Sequence, residues 1–316
     1  LKLFIHYGML SQPDFYDKAN KFALLSDIDG KFYTYEEYRE AIKENQTDKN
    51  SKLVCLYTND AEAQYSYIEA AKQKGYNVLM MDGQLDSHLV GMLEQKWENT
   101  HFVRVDADVI ERLIEKDDVS NNSLSETDSD KLTQVFMARI PKIEKRDFRV
   151  EISAMGEQSA PIILTQSEYM RRMKEMAQLQ SGMSFYSDMP DMYSMVLNTD
   201  HPLVKNVLAD VNVKVDEALK PIENELRGLN ARRMAIEQSQ KDMKAEDISQ
   251  EEKDDLNNCR EAILAEESKK AEVLKTYAET NALIPQLIDL ALLQNGLLKG
   301  EALNNFIKRS IEICGK

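Results

Sequence analysis

Cysteine is scarce in this chain. Its three residues, Cys55, Cys259 and Cys314, are widely separated and odd in number. No CxxC or other close pair is present, so neither a zinc site nor a redox pair is indicated, and a reducing compartment is the expected setting. Cys55 lies in the apolar run LVCLY and reads as a buried thiol. Long apolar runs are also missing. None approaches the roughly 18 residues of a membrane span, so no membrane partner is expected. Positive charge is in deficit: 40 Lys and Arg stand against 55 Asp and Glu, a formal charge of -15. A general nucleic-acid binder presents a basic field to phosphates, and no nucleic-acid partner is expected here. The first residues, LKLFIHYG, contain no initiator Met, no basic segment and no long apolar segment. The expectation is a chain without a signal peptide that starts within a helix of a larger protein.

Catalytic signatures are equally thin. No GxGxxG or GxxxxGK[ST] follows the first strand-like run; TNDAEA stands there instead. Without glycines the backbone has no evident way to close around a pyrophosphate. No GxSxG is present, and His6, His88, His101 and His201 lack metal-ligand spacing. Neither catalytic, cofactor-binding nor metal-ligating residues are therefore assigned. One motif resembles a catalytic loop: SDIDGKF, residues 26–32, is similar to the nucleophile loop of Mg-dependent haloacid-dehalogenase-type phosphatases. Asp27 would attack phosphorus and Asp29 would act as acid–base, with Mg²⁺ neutralising the phosphate. Lys31 stands where that family has Thr, and the competing reading is a polar turn before a helix capped by Thr34.

What is present is periodic. Residues 1–49 read as helical, with Thr34 and Glu37 at capping-box spacing. From Leu53, strand-like LVCLY, YNVLMM and HFVRV alternate with helical segments, the last being ADVIERLIEKD. That alternation predicts βαβ units and a small parallel sheet covered by helices. Residues 117–130, DDVSNNSLSETDSD, are polar and mark a domain boundary. Beyond it, DFRVEIS, APIIL and MYSMVLN read as strands. Between the last two runs a Met-rich helix, opened by a Thr165–Glu168 capping box. HPLVKNVL reads as a short helix, and residues 213–278 as a thinly apolar, charged, antiparallel helical hairpin, mobile at its tip. The fold class expected is α+β with an α/β part.

The end of the chain is the most apolar segment. Leu283, Ile284, Leu287, Ile288, Ala291 and Leu292 fill one face of a helix that starts near Pro285. Leu303, Phe306, Ile307 and Ile311 fill one face of a second, beyond Gly296 and Gly300. A terminal hairpin this apolar needs a partner, and the simplest is its own copy across a two-fold axis. Leu287, Ala291, Leu303, Phe306 and Ile307 are the expected homodimer interface.

Several segments taken together resemble the bacterial form of the Hsp90 chaperone family. They are LKLFIHYGMLSQPDFYDKANKFALL, VLMMDGQLDSHLV, SAPIILTQSEYMRRMKEMAQLQ, VLNTDHPLVKNV and LIDLALLQNGLLKGEALNNFIKRSIEI, in the expected order. The resemblance implies a cytoplasmic chaperone. It assigns 1–49 to a helical segment of the middle domain, 50–118 to that domain's small α/β part, and 127–316 to the C-terminal dimerisation domain. The family's ATP-binding domain and the segment giving an arginine to the ATP phosphate would precede this chain. The resemblance thus implies ATP and Mg in the full-length protein, and no cofactor or ATPase activity in this fragment. Homodimerisation, unfolded or partly folded clients and co-chaperones are the implied partners. The acidic terminal peptide of eukaryotic members is replaced by EICGK. The charged stretch 213–278 departs from the family pattern as an insertion, and a non-enzymatic scaffold acting through it is the second reading.

Client contact is expected from the Met-rich helix and the residues just after it: Met176, Met183, Phe185 and Tyr186. Methionine is unbranched and polarizable and adapts to irregular apolar partners. The competing reading is a core stripe against the neighbouring strands. Trp97, the one tryptophan, is a further candidate contact, against a packing role.

Overall fold

Strand-forming residues on both sides of helical stretches give the first half of the chain its frame. A computed structural model describes residues 2–116, 124–179, 189–241 and 249–315. Two compact units divide the chain. One comprises Leu1–Asn121, Lys142–Arg149 and Ile163–Val196; the other comprises Asn122–Pro141, Val150–Ile162 and Leu197–Lys316.

In the first unit, β3 (Leu53–Thr58), β4 (Val78–Met80) and β5 (Thr100–Arg104) form a parallel sheet in the order β4-β3-β5. Helices α4 (Tyr65–Gln73) and α5 (Asp86–Lys96) make the crossovers. Parallel strands are buried on both faces, and here each face has its own core. Cys55, Leu79, Leu89, Leu93, Trp97 and Phe102 pack with Tyr35, Tyr38 and Ile42 on one side. Val54, Leu56, Ile68, Val78 and Val103 pack with Ile114 on the other. Cys55 is a free, buried thiol, and burial pushes its pKa well up.

The opening segment is not wholly helical. After α1 (Lys2–Ser11) and α2 (Pro13–Ala19), β1 (Leu24–Ser26) and β2 (Phe32–Thr34) pair antiparallel. The turn between them is the DIDG motif, with Gly30 at φ 78°, a conformation glycine adopts freely. The Thr34–Glu37 capping box is formed and opens α3 (Tyr35–Ile42). The expected last helix of the βαβ series shrinks to one turn, α6 (Ile110–Leu113). Ile114 takes extended dihedrals there and is buried in the core instead.

Strands β6 (Arg146–Ser153), β7 (Ile162–Gln166) and β8 (Asp191–Asn198) form a third sheet in the order β6-β8-β7. Helix α8 (Glu168–Leu179) follows β7.

The second unit is built on α7 (Glu126–Met137), against which α9 (Pro202–Gln240), α10 (Gln250–Thr280) and α11 (Leu283–Gln294) pack. The short helix expected at HPLVKNVL is the first part of α9, which runs unbroken through Pro221. Packing overrides the missing N–H: Val204, Val207, Val211, Val215, Leu219 and Leu226 form one buried stripe at three- and four-residue spacing. Helices α9 and α10 run antiparallel, as Asp210–Tyr277, Glu223–Lys270 and Arg232–Asp255 pairings require. Lys131 of α7 is buried and donates to Asn212 (2.9 Å) and Asp216 (2.6 Å) of α9. Lys270 of α10 returns the contact to Asp130 of α7 at 2.6 Å. Buried ammonium groups are tolerated because each meets a carboxylate. The tip at 242–248, expected to be mobile, lies outside the described residues.

Candidate functional site

The phosphatase reading fails at the DIDG turn. Asp27 is 5 % exposed and its carboxylate accepts four hydrogen bonds. The donors are the amides of Asp29 (3.0 Å) and Lys31 (2.9 Å), the Tyr33 hydroxyl (3.1 Å) and Asn77 Nδ2 (2.8 Å). Burial pushes this carboxyl up, but the hydrogen bonds outweigh it and hold it below its ordinary value. A nucleophilic carboxylate needs a free lone pair facing the substrate, and Asp27 has none to give. Asp29 is exposed and pairs with Lys72 at 2.7 Å. The motif is a hairpin turn locked by its own aspartate.

A cluster of charges that sequence patterns missed lies where α8 meets the carboxyl ends of the parallel strands. Glu168 does not close a capping box, because Thr165 sits buried in β7. Its carboxylate instead accepts from the Tyr57 hydroxyl (2.8 Å), the Arg104 amide (3.2 Å), Arg171 (2.6 Å) and Arg172 (2.6 Å). Arg172 extends to Glu94 (2.7 Å) and the Phe102 carbonyl (2.7 Å), and Arg171 to Glu175 and Tyr57. Burial pushes the Glu94 carboxyl up, but bonds from His101, Arg172 and the Phe102 amide bring it down to about 2. Burial pushes Glu168 the same way, and Arg171 and Arg172 reverse it. Every carboxylate here has a cation, and no nucleophile stands beside a free base. The arrangement is a clasp. Only the adjacent arginines in EYMRR hinted at it, and sequence spacing alone could not name their partners.

The NTDHP motif is a second clasp, in the other unit. Asn198 is fully buried. Its Oδ1 accepts from the amides of Met155 and Asp200 (both 3.1 Å), and its Nδ2 donates to the carbonyls of Gly156 (2.8 Å) and Ser159 (3.3 Å). His201 then caps α9, its Nδ1 accepting from the Leu203 amide at 3.1 Å. A side chain with two donors and two acceptors is needed at that hub.

At the end of the chain, α11 and α12 (Gly300–Cys314) pack on each other. Asp289 pairs with Arg309, and Gln286 Nε2 donates to Ser310 Oγ at 2.8 Å. The five residues expected at a dimer contact separate into two groups. Leu287, Ala291 and Phe306 are buried within the chain's own packing. Leu303 is half-buried and Ile307 is 46 % exposed. Leu303, Ile307 and Ile311 follow one another at i, i+4 and i+8 along α12, and Ile311 is 66 % exposed. Leu290 and Leu293 of α11 and Ile313 of α12 are exposed as well. The free apolar surface is thus the outer row of the hairpin, not its inner one.

Of the candidate client contacts, Trp97 is a correction. It is 5 % exposed, edge-on to Tyr35 at 5.4 Å and close to Phe102 at 5.7 Å, so its role is packing. Met183, Phe185 and Tyr186, and the side chain of Met176, lie outside the described residues. Among the described residues, no group of three or more His, Cys, Asp or Glu could hold a metal ion, and no helix is long and apolar enough to cross a membrane.

Comparison with known proteins joins these observations. The family model "Hsp90 protein" matches residues 20–226. The chain is 54 % identical over 313 residues to the chaperone protein HtpG of Bacteroides fragilis strain 638R, covering 99 % of this chain and 46 % of that protein. HtpG of Bacteroides thetaiotaomicron is matched to the same extent. HtpG of Porphyromonas gingivalis strain W83 is 47 % identical, over 98 % of this chain and 45 % of its own length. The chain therefore spans about half the length of the curated relatives it matches. The segments that resemble the bacterial chaperones, the match over residues 20–226 and the identity along nearly the whole chain agree: this chain belongs to the Hsp90 protein family.

Proposed function

We propose that this chain is the portion of an ATP-dependent, cytoplasmic Hsp90-family chaperone that supplies homodimerisation and client contact. In this reading residues 1–118 belong to the middle domain and 127–316 form the C-terminal dimerisation domain. ATP and Mg²⁺ act in a part of the full-length protein outside this chain, and the chain alone hydrolyses no ATP. The stretch 213–278 is an insertion on the dimerisation domain. The family model ends at residue 226, inside α9, which supports a departure from the family pattern within this stretch; the HtpG relatives match nearly the whole chain and so carry the stretch as well. Clients meet the Met-rich region around Met176, Met183, Phe185 and Tyr186, with co-chaperones as further partners.

One observation carries the dimerisation: the outer apolar row Leu303, Ile307 and Ile311 of α12, like Leu290 and Leu293 of α11, is left half-buried or exposed by the chain's own packing. A two-fold contact buries such a row twice and then closes. Each large aliphatic side chain removed from water is worth about 1.5–3 kcal/mol. Wild type should sediment as a dimer at micromolar concentration. Ile307→Glu and Leu303→Glu should shift it to monomer, because a carboxylate in that contact is desolvated on both copies. Leu287→Ala should instead lower thermal stability, since Leu287 is inside the chain. A wild-type monomer at high micromolar concentration would remove the proposal.

A further inference from the structure

Three cations from separate elements meet in one concavity of the first unit. Lys21 follows α2, Arg39 belongs to α3 and Lys96 ends α5. They line a groove of about 470 Å³, within the usual size range of small-molecule sites. Among the described residues none of the three makes an ion pair, and Glu36 is the one carboxylate in the lining. Outside the lining, the field of Asp17 reaches the groove wall at Tyr16 and that of Asp86 reaches it at Tyr35, and Asp86 is itself paired with Lys2 and His6. An unneutralised cation cluster runs against the trend of a chain with charge -15.

Two of these cations are held in place. The Arg39 guanidinium lies 5.3 Å above the Trp97 ring and the Lys96 ammonium 5.0 Å above the Tyr16 ring. Both rings are buried, and Tyr35 braces Trp97 edge-on. A ring face orients a cation but does not neutralise it, so the charge remains available to an anion. We infer that this groove binds a phosphate-bearing small molecule, with Arg39 as the forked donor and Lys21 and Lys96 as point charges. A compact polyanion matches cations gathered in one hollow. An extended acidic peptide spaces its charges along a strand and leaves most of them outside.

Trp97 is the only tryptophan and lies beneath Arg39, so its emission reports on the groove. Inorganic tripolyphosphate, titrated into the 316-residue chain at constant ionic strength, should change that emission saturably, with calorimetry giving one site per chain. The double variant Lys21→Gln, Lys96→Gln keeps the Arg39–Trp97 pair and should weaken binding roughly tenfold or more. Circular dichroism checks its fold, and Glu36→Gln, which removes a carboxylate from the lining, should tighten binding. A change that never saturates, or equal affinity in a folded double variant, overturns the proposal. Sodium sulfate reproducing the effect would make it charge screening, and tighter binding of hexaglutamate would make it a peptide site. Either result also overturns it.

Discussion

The Glu94 carboxyl, ordinarily near 4.5, titrates at about 2 in the folded chain. A folded pKa below the unfolded one means stability that is fully present above about pH 4.5 and is lost as pH falls towards 2. The gap corresponds to roughly 3 kcal/mol. Denaturant unfolding between pH 6 and pH 2.5 should therefore show an acid-dependent loss that Glu94→Gln reduces but does not abolish, because Asp27 and Glu168 are also held below their ordinary values. The variant should also be less stable than wild type at pH 7, since Arg172 is left with Glu168 alone and the Phe102 amide loses a charged acceptor. Asp27 supports a different substitution. Asp27→Asn replaces one acceptor oxygen by a donor that faces donors on every side. It should cost about 2 kcal/mol of stability in thermal unfolding. A neutral outcome would mean that the four bonds contribute little and would reopen the question of what the turn is for.

Helix α9 carries its own liability in Pro221, which is exposed and inside the helix. Proline there removes one hydrogen bond and crowds the carbonyl of Glu217. Pro221→Ala should stabilise the second unit by roughly 1–3 kcal/mol, read as a higher melting temperature and slower amide exchange between residues 214 and 224. No change would show that the buried valine stripe already absorbs the cost. The distal part of the α9–α10 pair has the opposite character. Between Leu229 and Cys259, whose thiol donates to the Leu229 carbonyl at 3.2 Å, no described residue is buried. Among the described residues, surface ion pairs such as Arg232–Asp255 and half-buried side chains such as Ile236 and Leu256 lie there instead, and surface ion pairs contribute little.

For the whole molecule, that division predicts which part of the chain is dispensable. Replacing residues 232–256 with a short Gly-Ser turn should leave thermal unfolding within a degree or two and leave sedimentation as a dimer unchanged. Deleting all of 213–278 should unfold the second unit, because Val215, Leu219, Leu226, Leu274 and Tyr277 go with it. If the shortened chain kept its fold and dimer but lost suppression of a model client's aggregation, the scaffold reading of the hairpin would gain over contact through the Met-rich region.

Local pattern alone determined much of this protein. The run LVCLY, alternating with helical segments, predicted a parallel sheet because strands buried on both faces must be continuously apolar. Thr34 and Glu37 predicted their capping box because both partners lie within one turn. The segments resembling bacterial Hsp90 carried the family. Tertiary structure decided the rest. Thr165 and Glu168 have the same spacing as the real cap, yet Glu168 turns to Arg171, Arg172 and Tyr57, because a buried carboxylate follows the nearest cations rather than its sequence neighbour. HPLVKNVL reads as a short helix, and a valine stripe packed against α7 carries that helix on, through Pro221, to Gln240. Leu287 and Ile307 are both apolar members of helical stripes, and composition cannot separate them. Burial does, because α7 covers α11 on one side and leaves the outer row of α12 to water.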